Sequence, residues 1–427
     1  MPENVGIKMA GHDIEIMAPV GSYESLMAAV QAGAGSVYFG VEHLNMRSRS
    51  ANNFSLEDLK KIVEISSAHG IKTYLTLNVE IFDTETQQMH DVLNAAKEAG
   101  VTAVIAADIS VIMYARSINL EVHISTQVNI TNFEAVKFYA QFADVVVLAR
   151  EMNLGRVCEI SNQIKEQQVK GPSGSLVRLE MFVHGALCMA ISGKCYLSLH
   201  EMNSSANRGS CLQTCRRAYT VTDKETGAEL EIDNEYIMSP KDLKTIHFLN
   251  KILDTGVSVL KIEGRARSPE YVKTTVQCYH EAVGAYRDGT FTEEKIIGWN
   301  ERLSSVFNRG FWDGYYLGQR LGDWSSNYGS LATKRKIYIG KCTNYFTNIN
   351  VAEFKLETQN LKTGDEIIVT GPTTGVFQSV VEEIRFEMEG VEEGYKGQHI
   401  SVPVAMKIRR SDKLFKVVNA DEVKHRR

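Results

Sequence analysis

The chain has 427 residues, of which 44% are hydrophobic, 23% charged and 8% aromatic, and this balance excludes a largely disordered protein. Lys and Arg number 47 against 52 Asp and Glu, and the net charge of −5 excludes a surface that is basic all over, leaving only local basic patches for nucleic acid. The length exceeds what one hydrophobic core supports, so a large domain with a smaller companion is expected.

No run reaches the roughly 18–20 apolar residues that span a bilayer. The longest candidate, Val101 to Ala115, is short and carries Asp108. The opening stretch MPENVGIKMAGHD has no apolar signal-peptide core. The expectation is a cytoplasmic protein with reduced cysteines and no membrane contact.

Through residue 290, short apolar runs alternate with helix-length stretches of i, i+3, i+4 periodicity. The runs are Ile14–Ala18, Ser36–Phe39, Lys72–Leu77, Ala103–Ala106, Val122–Ile124, Val145–Leu148, Leu179–Val183 and Val259–Ile262. Gly70 and Gly100 mark helix stops just before the next run. Eight strands alternating with helices predict an α/β fold of the (β/α)8 TIM-like barrel type over 1–290. A doubly wound open sheet is the alternative, but no GxGxxG follows the first strand.

In a barrel the reactive face lies at the C-terminal ends of the strands. Polar groups collect at those positions: Asn78, Asp108, Ser125-Thr126-Gln127 with Asn129, Arg150 and Glu151, His184, and Glu263-Gly264-Arg265. Each alone is ordinary loop chemistry; six strand ends carrying such groups predict a site.

Residues 291–333 read as a helical and aromatic connector, with Phe311, Trp312 and Tyr315 expected to be buried. From 334 to 427 the pattern changes to period-two alternation with turn signals, which predicts a small antiparallel β-barrel domain. Residues 331–427 hold 16 basic and 13 acidic side chains, a balance of +3, leaving −8 for the remainder. The basic groups cluster at Lys334-Arg335-Lys336, Arg409-Arg410 and Lys424-His425-Arg426-Arg427, which suits an RNA-docking module as well as a solvated surface.

Four of the seven cysteines fall within 28 residues, in the insertion at 184–217, with the spacing C-x6-C-x15-C-x3-C at Cys188, Cys195, Cys211 and Cys215. Cys211 and Cys215 would share one face of a helix, and Gly185, Gly193 and Gly209 would let the backbone bend around a bound centre. Disulfides do not suit a reduced compartment. A structural zinc site takes four thiolates but usually draws them from closer pairs. An iron–sulfur cluster tolerates varied spacing, so a [4Fe-4S] cluster on these four residues is the leading expectation. Cys158, Cys278 and Cys342 read as isolated buried residues.

The run Glu180-Met-Phe-Val-His-Gly-Ala-Leu-Cys-Met-Ala-Ile-Ser-Gly-Lys-Cys-Tyr-Leu-Ser closely resembles the signature of the collagenase-like peptidase family U-32. Met17-Ala-Pro-Val-Gly-Ser, Ser125-Thr-Gln-Val-Asn, Leu148-Ala-Arg-Glu and Ile262-Glu-Gly-Arg-Ala-Arg-Ser agree with it, and the resemblance covers nearly the whole chain. The family is named for collagen degradation. Other members act in hydroxylation without molecular oxygen: of tRNA to 5-hydroxyuridine at the wobble position, of ribosomal RNA, and in ubiquinone synthesis. By length and domain plan this chain is most similar to the tRNA-directed members. The resemblance thus implies tRNA as partner, prephenate as a small acidic co-substrate, and a cluster on Cys188, Cys195 and Cys211. The fourth ligand varies among members; one pattern places it where this chain reads Met238-Ser-Pro-Lys, so Cys215 is assigned. A second modification protein is a further candidate partner.

Three functional readings follow. A peptidase needs a nucleophile or an open metal site, and neither HExxH nor GxSxG is present. A cluster-bearing scaffold without catalysis would not need polar groups at six strand ends. A tRNA hydroxylase would use Arg265 and Arg150 for carboxylate recognition, with Gln127, Asn129 and Asn78 as further substrate-binding groups. Glu263 and His184 are its candidate proton-transfer groups, weighed against a structural Glu–Arg ion pair. RNA contact would add Arg208, Arg216 and Arg217 to the basic groups of the C-terminal domain.

Overall fold

The computed structural model describes residues 14–42, 44–48, 53–220, 238–318, 322–326 and 329–424. The N-terminal stretch MPENVGIKMAGHD and the basic tail from His425 lie outside the described residues. The chain runs β1 (Glu15–Pro19), α1 (Tyr23–Gln31), β2 (Ser36–Phe39), α2 (Asp58–Ala68), β3 (Lys72–Leu77), α3 (Thr86–Ala99) and β4 (Ala103–Ala106). It continues with α4 (Ile109–Ser117), β5 (Glu121–Ile124), α5 (Phe133–Tyr139), β6 (Val145–Val147), α6 (Leu154–Glu166) and β7 (Arg178–Gly185). After the cysteine segment, which carries α7 (Leu197–Met202), come β8 (Asp242–Lys244), α8 (Leu249–Asp254), β9 (Val259–Ile262), α9 (Pro269–Arg287), α10 (Glu293–Ser305) and β10 (Phe311–Trp312).

Strands β1 to β7 pair in sequence order, all parallel, and β9 pairs with both β7 and β1. The eight strands therefore close into the barrel the sequence predicts. Helices enter their first turns through side-chain caps: Ser22, Asp108, Asn132 and Asn153 each accept a bond from a backbone N–H two or three residues on. Asp108 is thus a cap at the strand end, not a lining group.

The strands alternate between two apolar layers. Outward side chains such as Val37, Leu75, Val104, Val122 and Leu260 pack against the helices in the main core. Inward ones form a separate small cluster of Met17, Tyr38, Tyr74, Ala103, Ile105, Val145 and Val259. The inward set is not all apolar: Glu15, His123, Glu180 and Lys261 are buried among it.

Strand β7 departs from regular alternation. Its register with β9 pairs Phe182 with Lys261 but His184 with Ile262, so one extra residue is accommodated between them. Such a bulge reverses the facing of every residue beyond it. Beyond the bulge β7 pairs antiparallel with β8, which carries β10 along its other edge, so that a short flap extends from the barrel rim. In the connector, Phe311, Trp312 and Tyr315 are half-buried rather than buried, and Tyr316 is the fully enclosed ring, its hydroxyl donating to Phe182 O at 2.7 Å.

The C-terminal domain is an antiparallel eight-stranded sheet with a two-stranded ribbon, built from Lys334–Phe346, Val351–Leu356, Glu366–Gly371, Gly375–Val380, His399–Pro403, Lys413–Asn419 and shorter strands. It has its own core, including Phe354, Leu356, Val369, Ile400 and Leu414. The stretch from Val376 to Ile384 is not one strand: it breaks after Val380 and resumes at Ile384. Gln31 on α1 fastens this domain: its amide donates to Thr374 O at 2.8 Å and accepts from Val376 N at 3.1 Å. Lys273 on α9 donates to Val376 O at 2.8 Å.

Candidate active site at the barrel mouth

A cavity of about 230 Å³ opens at the C-terminal ends of the strands. Glu263 and Arg265 follow the end of β9 and line it. Arg265 is 6% exposed and donates from Nη1 to Thr76 Oγ1 at 2.9 Å. Burial pushes its pKa down to about 10, so the cation persists at neutral pH. The loop after β2 brings in Arg47, whose Nη2 lies 3.0 Å from Glu263 Oε1. The Tyr38 hydroxyl donates to Ile262 O at 2.9 Å and approaches Glu263 Oε2 at 3.3 Å. Burial alone would raise the Glu263 pKa; the guanidiniums of Arg47, Arg150 and Arg265 outweigh it and hold the carboxyl below its ordinary range. Glu263 is therefore ionised, an acceptor of protons rather than a donor.

The opposite wall comes from β3, β5 and β6. Asn78 donates to Gln127 Oε1 at 3.0 Å while Gln127 donates back to Asn78 O at 2.8 Å, and the Ser125 hydroxyl also bonds Gln127 Oε1. The Arg150 guanidinium sits 3.7 Å from the Phe182 ring centroid, and its Nη1 donates to Ala186 O at 2.9 Å. Its Nε is buried without a hydrogen-bond partner. Lys261 supplies a further cation at the cavity.

All four clustered cysteines line this same cavity, and none is in a disulfide. The thiols lie near enough that the charges of Cys188, Cys195 and Cys211 all act on Cys215, whose pKa burial pushes up to about 11. Gly185, Gly193 and Gly209 all have positive φ, at 102°, 76° and 81°, as a backbone folding tightly around the cavity requires. Cys211 and Cys215 do not share a helix: Cys215 sits in the short 3-10 turn Thr214–Arg216 and Cys211 precedes it in a loop. Among the described residues, no three His, Cys, Asp or Glu side chains are arranged to hold a metal ion as they stand. The donor set itself, four thiols on one cavity, fits a four-thiolate group.

Four predicted groups, Asp108, His184, Asn129 and Glu151, are not at the cavity. The bulge in β7 turns His184 outward, away from the barrel interior, where its ring packs on Tyr271, Tyr279 and Phe311. Burial first, and then Lys244 and Arg267, push its pKa down to about 3, so it stays neutral and does not serve the cavity as an acid. Asn129 lies behind the lining, donating to Gln127 O at 2.7 Å and Ser192 O at 3.1 Å. Glu151 is exposed away from it. Of the arginines expected at RNA, Arg208 is paired with Glu85 and stacked on Phe82, and Arg216 donates to Ser239 Oγ and to the carbonyls of Pro240 and Leu187. Arg217 is exposed. In the C-terminal domain Lys334 pairs with Glu366 and Lys336 with Glu270, while Arg335, Arg409 and Arg410 are exposed.

Arg47, Tyr38, Thr76 and Lys261 are cavity groups that the sequence reading missed. Arg47 sits in an aperiodic loop with nothing to point inward. Lys261 did leave a signal: a charged residue in the middle of the buried parallel strand Val259–Ile262.

Closed barrel, polar cavity at the carboxyl ends of its strands and converging arginines and thiols together define an α/β-barrel protein of the enzyme type. The chain belongs to peptidase family U32, whose family model matches residues 21–326. A relative from Porphyromonas gingivalis named collagenase is 61% identical over 411 residues, covering 96% of this chain and 99% of its own. A Bacillus subtilis relative named tRNA hydroxylation protein P1 is 34% identical over 381 residues, covering 87% of this chain and 86% of its own. An Escherichia coli relative named tRNA hydroxylation protein P is 28% identical over 380 residues, covering 77% and 80%. Among the described residues no helix is long and apolar enough to cross a membrane.

Proposed function

We propose that this protein carries out oxygen-independent hydroxylation of tRNA, forming 5-hydroxyuridine at the wobble position with prephenate as the small acidic co-substrate. One observation carries the reading: four thiols and a set of arginines converge on a single cavity, in a chain similar over most of its length to relatives named for tRNA hydroxylation. Cys188, Cys195, Cys211 and Cys215 would hold a [4Fe-4S] cluster, which when bound supplies electron transfer that side chains cannot.

The chain's own residues would do the rest. Arg265, fixed by Thr76, and Arg150, fixed by Ala186 O, would offer guanidinium contacts to a dicarboxylate. Asn78 and Gln127 orient its polar edge. Glu263 accepts a proton at a carboxylate oxygen, since it is ionised beside Arg47. Exposed Arg335, Arg409 and Arg410 would meet tRNA phosphates, giving salt-dependent binding.

The test is nucleoside mass spectrometry of tRNA from a strain lacking the gene, complemented with the wild-type chain or with Arg265→Ala. Loss of 5-hydroxyuridine that only the wild-type chain restores supports the reading. An unchanged profile overturns it and directs attention to ribosomal RNA.

A second reading, peptidase activity, is favoured by the 61% identity to a relative named collagenase. Digestion of gelatin by the anaerobically purified protein, abolished by Glu263→Gln, would support it.

A further inference from the structure

Below the cavity, the barrel interior holds a line of polar side chains that the proposed chemistry has not used. Lys261 Nζ lies at the cavity under the rings of Tyr38 and Phe182, 4.8 and 5.5 Å from their centroids, and 2.7 Å from Glu180 Oε1. Glu180 is fully buried, and its Oε2 has no hydrogen-bond partner. Opposite it stands His123 Nδ1, at 3.9 Å, on an imidazole that is also fully buried and also unpartnered at that nitrogen. On its other side His123 Nε2 lies 3.2 Å from Glu121 Oε1, and Glu121 is 35% exposed at the amino-terminal rim of the barrel. The line crosses the barrel from solvent to cavity.

Other groups around it are accounted for. Tyr74 from β3 packs on the His123 ring, with centroids 4.4 Å apart, and its hydroxyl is committed to Glu15. Arg178 and Lys72 bear on Glu121 from the rim. Tyr38, Glu263 and Arg265 stand on the cavity side. Strands β4 and β6 present only Ala103, Ile105 and Val145. A purely structural interior could have been filled with such residues throughout. Instead, two buried atoms that need partners face each other across a gap slightly too long for a hydrogen bond.

We propose that Glu121, His123, Glu180 and Lys261 form a proton path linking the cavity to solvent at the far rim of the barrel, with Lys261 as the group that exchanges a proton with the cavity's ligand. The ammonium of Lys261 gives one proton to the ligand. Water, by way of Glu121, protonates His123 at Nε2, the imidazolium releases its Nδ1 proton to Glu180 Oε2, and the carboxyl turns and delivers it to the Lys261 nitrogen; a turn of the imidazole ring then brings a protonated nitrogen back toward Glu180 for the next transfer. One proton moves from rim to cavity, and no electron moves. The path builds on the reading that the cavity performs chemistry, but its existence is testable apart from the product.

The test uses the full chain labelled with 15N-histidine, with His123 assigned from the spectrum of His123→Gln. At neutral pH, Lys261→Met is expected to redistribute the proton between the two ring nitrogens of His123, shifting both 15N resonances. Glu121→Gln, a shape-conserving change at the exposed rim, is expected to slow exchange of the His123 ring proton with solvent by about tenfold. It should also slow single-turnover hydroxylation of tRNA by about tenfold without changing iron content or tRNA affinity. His123 resonances indifferent to Lys261→Met, with wild-type exchange in Glu121→Gln, would overturn the path. If wild-type protein hydroxylates no tRNA, the proposed function falls, and the resonance measurements still decide the path.

Discussion

Arg47 Nη2 donates to Glu263 Oε1 across 3.0 Å, tying the aperiodic loop after β2 to the residue that leaves β9. Both side chains are mostly enclosed, at 22% and 15% exposure. Removing the guanidinium leaves a carboxylate still faced by Arg150 and Arg265. Arg47→Ala should therefore lower unfolding stability by about 3 kcal/mol, the lower end for breaking an enclosed pair. Glu263→Gln removes the carboxylate that Arg47, Arg150 and Arg265 share, so it should cost at least as much and also abolish tRNA modification. Thermal unfolding and nucleoside profiling, run on both variants, separate the two effects.

Cysteine substitutions divide the seven residues sharply. Ser at Cys188, Cys195, Cys211 or Cys215 should each cut iron and acid-labile sulfide in anaerobically purified protein severalfold. Ser at Cys158, which borders solvent on α6, should leave both unchanged. Equal iron in all five variants would remove the cluster assignment.

Glu15 governs stability in acid. Tyr74 donates to its Oε1 at 2.6 Å, and Lys72 and Arg178 each lie 3.1 Å from Oε2. Burial would raise its pKa, but these three partners outweigh burial and hold it at about 2, against an ordinary 4.5. Below 4.5 the unfolded chain binds a proton that the folded chain refuses, so the contribution is complete above about pH 4.5 and lost as pH falls toward 2. It amounts to roughly 3 kcal/mol at most. Denaturant melts of wild type and Glu15→Gln between these limits should converge as the pH drops, and parallel curves would contradict it.

Gly185 ends β7 at φ 102°, and a Cβ there would sit 2.3 Å from Glu263 O. Gly185→Ala must shift the backbone that positions Glu263, at a cost on the order of 2–3 kcal/mol. A lower midpoint of unfolding together with weaker modification is expected; a wild-type midpoint would show that the rim can yield.

The barrel was legible because each of its strands is a short apolar run bounded by helix-period sequence, as Ala103–Ala106 and Val259–Ile262 illustrate. Residues that closely follow a strand, such as Asn78, Arg150 and Glu263, could be placed at the mouth by counting from it. Strands β8 and β10, at three and two residues, are too short to leave a periodic trace. Arg47 was hidden because only tertiary packing aims its loop inward. His184 was misplaced because strict alternation from Glu180 and Phe182 points it inside, and no composition rule announces the extra residue that turns it out.

That extra residue makes β7 a strand with two phases. Deleting Val183 would make the pairs Phe182 with Lys261 and His184 with Ile262 consecutive, restoring a single phase while leaving the imidazole in its aromatic enclosure. The enclosure of the imidazole thus follows from the count of residues in β7 against β9, not from the composition of either strand.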